Sequence, residues 1–410
     1  MWILIISVVI FGLMIYLTCA TAYLLFLAAA YFLVKEPEHA EPKTRNKFAI
    51  LIPAHNEELL IARLCDSLLG IDYPKAVYQV YVVADNCTDQ TASIAGTFPF
   101  NVLIRKDEAH IGKGYAIDWA ITQIPLNDYD ALLIVDADNI VDKNILLELN
   151  KIIDQGFEAI QCHNSVGNRE DSWFTQLLFV SRMIGNLFYH HAKYKLGLSS
   201  YLMGNGICFS TKLLMRKKWT AFSLGEDWEY YAQLIHDRVK IGFAVKAKVF
   251  HQESRSLEQA TTQRLRWSSG RFQVLRRYGF GLLKDGIRRF DWFTVDASLP
   301  LVFPNYSLQF NLTILYLMLS VLITKFYFRL LSITVGVCLV IAQIALFAAG
   351  MYLAKSYREV FKALFRAPFF LLWKACIDIL SVTGIYRGEK WVRTDRHLSR
   401  DNNVSDHDNA

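Results

Sequence analysis

Apolar and polar positions divide the chain into two continuously hydrophobic ends and a patterned middle. Met1 to Val34 contains no Lys, Arg, Asp or Glu and is long enough to span a bilayer. Leu299–Thr324 and Leu330–Ala354 are two further stretches of this kind, separated by Lys325-Phe326-Tyr327-Phe328-Arg329. In the middle, Phe48–Ile52, Val80–Ala84, Val102–Arg105, Ala131–Val135 and Ala159–His163 are short apolar runs without period-2 alternation. Such runs predict strands buried on both faces. Leu59, Leu60, Ala62, Leu64, Leu68 and Leu69 recur at helical spacing after Asn56, a candidate N-cap. Another amphipathic helix runs from Gly114 through Ile124. Four strand–helix units between Phe48 and Asp138 predict an α/β domain built on a parallel, doubly wound sheet. Ser172–Leu196 is aromatic and helix-compatible, either plain core or a helix facing an acceptor or the membrane. Tyr201–Ser210 contains a Gly-Asn-Gly turn and an apolar strand, and Val249–Glu253 ends another strand.

Composition sharpens this picture. The chain has 410 residues, is 53% hydrophobic and has a mean hydropathy of +0.22, an excess concentrated at its two ends. The first stretch is no signal peptide, because it lacks a basic start and its apolar run is too long. Nothing charged precedes it, whereas Lys35, Lys43, Arg45 and Lys47 follow, so the positive-inside rule puts the N-terminus outside and the middle of the chain in the cytoplasm. The hairpin of the second and third stretches returns the chain to the same side, where Lys355, Arg358 and Lys362 follow it. Leu364–Tyr386 is apolar but interrupted by Arg366, Lys374 and Asp378, which predicts a helix lying in the membrane interface rather than crossing it. The resulting division is a transmembrane helix at 1–34, a cytoplasmic domain at 45–283, an interfacial segment with a transmembrane hairpin at 284–354, an interfacial helix with a basic segment at 355–398, and a disordered tail at 399–410. Seven cysteines lack metal-ligand spacing, which suits a reduced cytosolic domain. The net charge of +6 resides mostly in the membrane flanks and gives no reason to expect a nucleic-acid partner.

Candidate chemistry gathers at the carboxyl ends of the predicted strands, where open α/β sheets place ligands. Pro53-Ala54-His55-Asn56-Glu57 follows the first strand, Asp85 the second, and Asp136-Ala137-Asp138 the fourth. Two carboxylates at the end of a stiff strand suit a hard divalent cation that shares the phosphates of a nucleotide. Taken alone the pair also fits a solvated turn; convergence of three such groups at one edge is harder to explain that way. Glu226-Asp227-Trp228-Glu229 opens a helix, where acids also simply complement the helix dipole. Gln263-Arg264-Leu265-Arg266-Trp267 lies in a basic helical stretch, a composition equally suited to membrane anchoring. Gly112-Lys113-Gly114 lacks the spacing of a P-loop, and Gly204-Asn205-Gly206 lacks the third glycine of a dinucleotide fingerprint.

Asp85, the Asp136/Asp138 pair, Asp227 in Gly-Glu-Asp, and Gln263-Arg-Leu-Arg266-Trp267 occur together in the order and spacing of the membrane-bound family 2 glycosyltransferases. The chain thus resembles the group containing cellulose, chitin and hyaluronan synthases and ceramide glucosyltransferases, over roughly residues 45–280. The resemblance implies a GT-A fold, a Rossmann-like nucleotide-sugar domain, inserted between transmembrane helices. It implies that Asp85 holds the uracil or ribose of a UDP-sugar, in a pocket lined by Pro53, His55, Asn56 and Glu57. Lys113 would lie near the base or diphosphate, Asp136 would contact ribose or sugar, and Asp138 would bind Mg2+ or Mn2+. Gln263, Arg264 and Arg266 would complete the donor site, with Arg266 on phosphate. Asp227 would be the general base, with Glu226 beside it, so that one displacement inverts the α linkage to β. Trp267, Trp228 and Asn205 would face the acceptor, and His251 is a further candidate ligand for metal or phosphate. The chain departs from the large polysaccharide synthases in having few spans.

Two other classes compete. A sugar nucleotidyltransferase would explain the nucleotide edge but not Gln263–Trp267 beside a membrane hairpin. A membrane scaffold or transporter subunit would explain neither the ordered acids nor spans without intramembrane charges. For the acceptor, the aromatic residues lean the reading to extracellular or cell-envelope polysaccharide, with single-sugar transfer to a lipid as the alternative. A polymer would require a homo-oligomer or an export partner, because three spans cannot enclose a channel.

Overall fold

The computed structural model describes residues 1–37, 45–323, 327–355 and 357–384. The predicted tail at 399–410 and the basic segment beyond 384 lie outside these residues. Helix α1 (Trp2–Leu33) precedes β1 (Phe48–Ala54), α2 (Ile61–Leu69), β2 (Tyr78–Asp85), α3 (Thr91–Ala95), β3 (Asn101–Arg105) and α4 (Lys113–Gln123). Next come β4 (Ala131–Ile134), β5 (Asn139–Val141), α5 (Ile145–Ile153) and β6 (Ala159–Val166). Helix α6 (Trp173–Met183) runs through a π-helical stretch, Ile184–His191, into α7 (Ala192–Lys195). Strand β7 (Ile207–Ser210), α8 (Thr211–Arg216), α9 (Glu226–His236), β8 (Ile241–His251) and α10 (Leu257–Val274) complete the domain. A second π-helical turn, Leu275–Gly279, leads to α11 (Phe280–Arg288), α12 (Trp292–Val302), α13 (Tyr306–Leu322), α14 (Arg329–Leu353), α15 (Tyr357–Leu364) and α16 (Ala367–Val382).

The eight strands form one sheet in the order β3-β2-β1-β4-β7-β6-β8-β5. Strands β3, β2, β1 and β4 are parallel, as their sequence predicts. The rest departs from an all-parallel sheet: β7 runs antiparallel to β4 and β6, and β5 runs antiparallel to β8. The absence of alternation in β1 has a direct cause. Phe48, Ile50 and Ile52 enter one core layer while Ala49 and Leu51 enter the other, so both faces are covered. Strand β4 divides likewise, with Ala131 and Leu133 on one side and Leu132 and Ile134 on the other. Asn56 does not cap α2, which begins only at Ile61. It takes a positive φ of 55°, and its Oδ1 accepts from the Thr88 backbone N–H at 2.8 Å. Its side chain thereby joins the loops after β1 and β2.

Helices α1 and α14 are long and apolar enough to cross a membrane, and α13 is a shorter apolar helix of 17 residues. Their mutual contacts include a polar knot. Thr21 Oγ1 accepts from Gln309 Nε2 at 2.8 Å and from Gln343 Nε2 at 3.1 Å, and Gln343 Nε2 also reaches Thr313 Oγ1 at 3.0 Å. Such bonds hold apolar helices together where water cannot compete. The predicted span Leu299–Thr324 is not one helix. Helix α12 ends at Val302, Phe303 is extended ahead of Pro304, and Asn305 caps α13 by accepting from the Leu308 N–H at 3.0 Å. Proline disfavours helical geometry in the residue before it, which explains the break.

Two of the three charges interrupting Leu364–Tyr386 face inward, while Arg366 is exposed. Lys374 and Asp378 are buried as an ion pair against α10, where Ser268 Oγ donates to Asp378 Oδ1 at 3.1 Å. Trp373 Nε1 donates to Thr261 Oγ1 of the same helix at 3.0 Å, while Phe369, Leu372 and Ile379 are exposed on the other face. Removing one partner of a buried pair strands the other, so Asp378→Ala should cost about 3 kcal/mol. The double variant Lys374→Met/Asp378→Leu should recover most of that loss. Thermal unfolding of detergent-purified protein checks both.

Candidate active site

The sheet topology explains how distant motifs meet. Strands β1, β2 and β4 are parallel, so Pro53–Glu57, Asp85 and Asp136–Asp138 emerge at one edge. Strand β7 is antiparallel to β4, which brings the loop preceding it, Gly204-Asn205-Gly206, to that same edge. The antiparallel pairing of β5 with β8 places Asn139 opposite His251, so Asp138 lies beside that histidine. These groups and the first turns of α4 and α9 line a cavity of about 300 Å3. Pro53, His55, Glu57, Asp85, Lys113, Asp136, Asp138, Asn205, Glu226, Asp227, Trp228, His251, Gln263, Arg266 and Trp267 all line it, as the sequence predicts; Asn56 and Arg264 do not.

At the β2 end, Asp85 is 5% exposed and bonded through Oδ1 to the Arg105 guanidinium at 2.7 Å. Burial pushes its carboxyl up, opposed by that guanidinium. Arg105 also reaches Asp107 Oδ2 at 2.8 Å and the His110 carbonyl at 2.9 Å, so it braces the loop leading into α4. Sequence reading missed Arg105; it ended a predicted strand, and only the Asp85–Arg105 register gives it a partner. His55 Nδ1 bonds the Asp85 carbonyl at 2.7 Å, tying the first two strand ends together.

Over β4, Lys113 joins the acids. Its ammonium contacts Asp136 Oδ1 and the Gly204 carbonyl, and stands 3.9 Å from Glu226 Oε1. Burial opposes its charge, but Asp136 and Glu226 hold its pKa above the ordinary lysine value. Asp227 is pushed up to about 7 by burial, with the neighbouring Glu226 charge adding to the shift. A carboxyl poised near neutrality in a cavity suits proton transfer. Gly204 has a φ of 77°, and a Cβ there would stand 3.0 Å from Asp227 Oδ2, so glycine lets the turn approach that carboxylate.

Among the described residues no three His, Cys, Asp or Glu side chains form a preassembled metal cluster. The donor set nevertheless fits a hard cation that takes one or two carboxylates and completes its shell with phosphate and water. His251 is 7% exposed, and its Nδ1 is buried with no hydrogen-bond partner among the described residues, while Nε2 is fixed by Glu253 Oε1 at 2.8 Å. A histidine oriented by a carboxylate on its other nitrogen has the arrangement of a metal ligand. Glu253, missed in the sequence, also accepts from Arg264 Nη2 at 2.6 Å. Arg264 is therefore turned to this carboxylate and its guanidinium lies 4.6 Å over the Trp267 ring, rather than on a nucleotide.

The acceptor side needs two corrections. Asn205 Oδ1 is committed to Asn139 Nδ2 at 2.5 Å and to the Asp136 N–H at 3.3 Å, so it braces the Asp136–Asn139 turn. Trp228 stacks on Tyr201, with centroids 4.9 Å apart at 17°, and Arg271 lies 5.6 Å over its ring; it is part of a packed wall, not an open platform. Helices α9 and α10 meet through glycine. A Cβ on Gly270 would stand 2.6 Å from the Gly225 nitrogen and 2.8 Å from the Leu224 carbonyl carbon. This contact sets the separation of Asp227 from Arg266 and Trp267. Gly270→Ala should overpack it at a cost of about 1–3 kcal/mol. It should reduce turnover far more than nucleotide affinity, as read by kcat beside a nucleotide titration.

This sheet, with its carboxylate pair at the fourth strand end, is a GT-A glycosyltransferase fold. The chain belongs to the glycosyltransferase-like family 2, whose sequence model matches residues 45–270. It is 25% identical over 259 residues to the beta-monoglucosyldiacylglycerol synthase of Nostoc sp. (strain PCC 7120), covering 61% of this chain and 54% of that protein. It is 24% identical over 241 residues to the probable glycosyltransferase YdaM of Bacillus subtilis, covering 57% of each. The chain thus spans about half the length of these relatives. Among solved structures, the mannosyltransferase PcManGT of Pyrobaculum calidifontis, in complex with GDP-Man and Mn2+, aligns with a TM-score of 0.55 at 18% identity. That alignment covers 90% of this chain and 99% of that one, a likeness of fold.

Proposed function

We propose that this enzyme moves a hexose from a UDP-sugar to a hydroxyl of a membrane-associated acceptor, with inversion to a β linkage. The observation that carries the reading is the convergence of Asp227, raised to about 7, with Lys113, Asp136, Asp138 and Arg266 on one cavity. Asp227 takes the acceptor hydroxyl proton as that oxygen bonds to the anomeric carbon. The bond from that carbon to the diphosphate oxygen breaks, and UDP departs with its electron pair. Lys113 and Arg266 offset the charge gathering on the leaving group. Asp85 and the Pro53–Glu57 loop hold the nucleoside. Asp138 and His251 are the residues that would hold Mg2+ or Mn2+, which when bound supplies Lewis-acid stabilisation of the diphosphate.

For the acceptor we favour a lipid over the polysaccharide to which the sequence leans. Helix α10 carries Gln263–Trp267 and is covered by α16, which presents apolar residues outward and accepts from Asn311 Nδ2 of α13 at the Leu371 carbonyl, 2.9 Å away. One cavity wall is thus continuous with the apolar helices, so a headgroup at a bilayer surface has a short path to Asp227. We place α1, α13 and α14 across the membrane with the N-terminus outside and the catalytic domain in the cytoplasm, and α15 and α16 in the interface. The relative named beta-monoglucosyldiacylglycerol synthase supports this acceptor.

Purified protein given several UDP-sugars should release UDP and yield a lipid bearing one sugar, read by mass spectrometry. A ladder of sugar oligomers would overturn the lipid acceptor, and pyrophosphate release would overturn glycosyl transfer. Because the base must be ionised, kcat/KM should fall about tenfold per pH unit below about 7 and level off above it. Asp227→Asn should remove that limb, lowering kcat by at least about a hundredfold while leaving UDP affinity nearly unchanged. EDTA should abolish transfer, and His251→Ala should weaken Mn2+ binding about tenfold or more, measured by electron paramagnetic resonance. Full activity in EDTA would overturn the metal assignment.

A further inference from the structure

The cavity has a polar corner in which only Gln263 has been given a role, as part of the donor site. Asn164 lies on β6, Arg182 on α6 and Gln263 on α10, and all three line the same cavity. In the sheet order β6 stands four strands from β2, about 19 Å at the usual strand spacing, so this corner lies across the reaction centre from Asp85. Asn164 is 3% exposed and Gln263 7% exposed, and the amide oxygen of each is buried with no hydrogen-bond partner among the described residues. Buried amide oxygens are rarely left unpaired, so two on residues that line one cavity mark a place for a ligand that brings protons.

The Asn164 backbone is built into place. Asn186, in the π-helical stretch after α6, donates its Nδ2 to the Asn164 carbonyl at 2.9 Å. Stretches of this kind concentrate at functional sites. Arg182 Nη2 is the loosest partner of Glu253, at 3.5 Å, because His251 and Arg264 hold the same carboxylate at 2.8 and 2.6 Å. Two guanidinium groups share one carboxylate, so Arg182 retains capacity to donate into the cavity.

We propose that Asn164, Arg182 and Gln263 form a subsite for vicinal hydroxyls, of a sugar ring or of a glycerol unit; the inference rests on the sugar-transfer reading of this cavity. A hydroxyl donates to an amide oxygen and accepts from a guanidinium at once, matching the groups present. A carboxylate or phosphate satisfies Arg182 but has no proton for the two amide oxygens. The hydroxyls come from the transferred sugar or from the acceptor, and the two sources give different signatures.

Calorimetric titration of UDP and of UDP-glucose, in the presence of Mn2+, into wild type, Asn164→Ala and Gln263→Ala separates them. If the donor sugar occupies the subsite, UDP-glucose affinity falls about fivefold or more while UDP affinity stays within about twofold. If the acceptor occupies it, both affinities hold and the KM for dioleoylglycerol in mixed micelles rises about fivefold or more. Either result supports the subsite, and Asn164→Ser, which keeps a hydrogen-bonding oxygen, should recover part of the loss and replaces Asn164→Ala if that variant does not fold. Donor affinities and acceptor KM all within about twofold of wild type would overturn it, leaving the corner to ordered water. Failure of the wild type to release UDP from any donor would count against the transfer reading alone, because the UDP-glucose titration does not depend on turnover.

Discussion

The buried carboxylate of Glu253 is the constraint on which the rest of the site depends. It is 2% exposed, a position in which an isolated charge could not persist. Burial opposes its ionisation, yet Arg264, His251 and Arg182 together hold its carboxyl well below the ordinary range. Each partner comes from a different element: His251 ends β8, Arg264 lies on α10 and Arg182 on α6. Asn168 closes the group by accepting from the Glu253 N–H at 2.9 Å and donating to its carbonyl at 2.9 Å. One charge thus orients a candidate metal ligand, anchors the Gln263–Trp267 helix and aims a guanidinium into the cavity. The stability of that arrangement is collective, since removing any cation strands part of the carboxylate.

Much of this architecture was legible in the sequence because it is local. The β1–β4 half of the sheet follows from apolar runs whose length and flanks suit strands. The acids at their ends follow from the rule that parallel sheets gather ligands at the carboxyl edge. What could not be read depends on pairings distant in sequence. Strand β5 has three residues, too few for any periodicity, yet its register with β8 joins Asp138 to His251. Arg264 and Trp267 are neighbours of Gln263 in the motif, but only the position of Glu253 decides that Arg264 turns to that carboxylate and does not line the cavity. The partners of Asn205 and Trp228 were hidden for the same reason: Asn139, Tyr201 and Arg271 come from distant parts of the chain. The contact of Gly225 with Gly270 is invisible until two helices 45 positions apart are superposed in space.

The apolar ends teach a related lesson. Hydropathy identifies α1 and α14 but merges α12 with α13, because a window average does not register Pro304. It also reads Lys374 and Asp378 as marks of an exposed face, whereas the two charges neutralise each other against Ser268. A polar residue in an apolar stretch reports only that it has a partner somewhere, either water or protein.

A last connection runs from the apolar helices to the reaction centre. Lys193 on α7 is fully buried and its ammonium lies 3.0 Å from Asp296 on α12, which also accepts from the Tyr23 hydroxyl of α1 at 2.5 Å. One residue further on, the Ala297 carbonyl accepts from Tyr231 on α9 at 2.6 Å. Tyr231 follows Asp227 by four positions, one turn along the same helix. The carboxylate poised near neutrality is therefore one helical turn from a residue bonded to α12, and α12 is held to α7 by a buried ion pair and to α1 by the Tyr23 hydrogen bond on the same carboxylate. This linkage ties the position of Asp227 to that of the apolar helices. The catalytic domain and the apolar helices thus meet through a junction that is charged and buried.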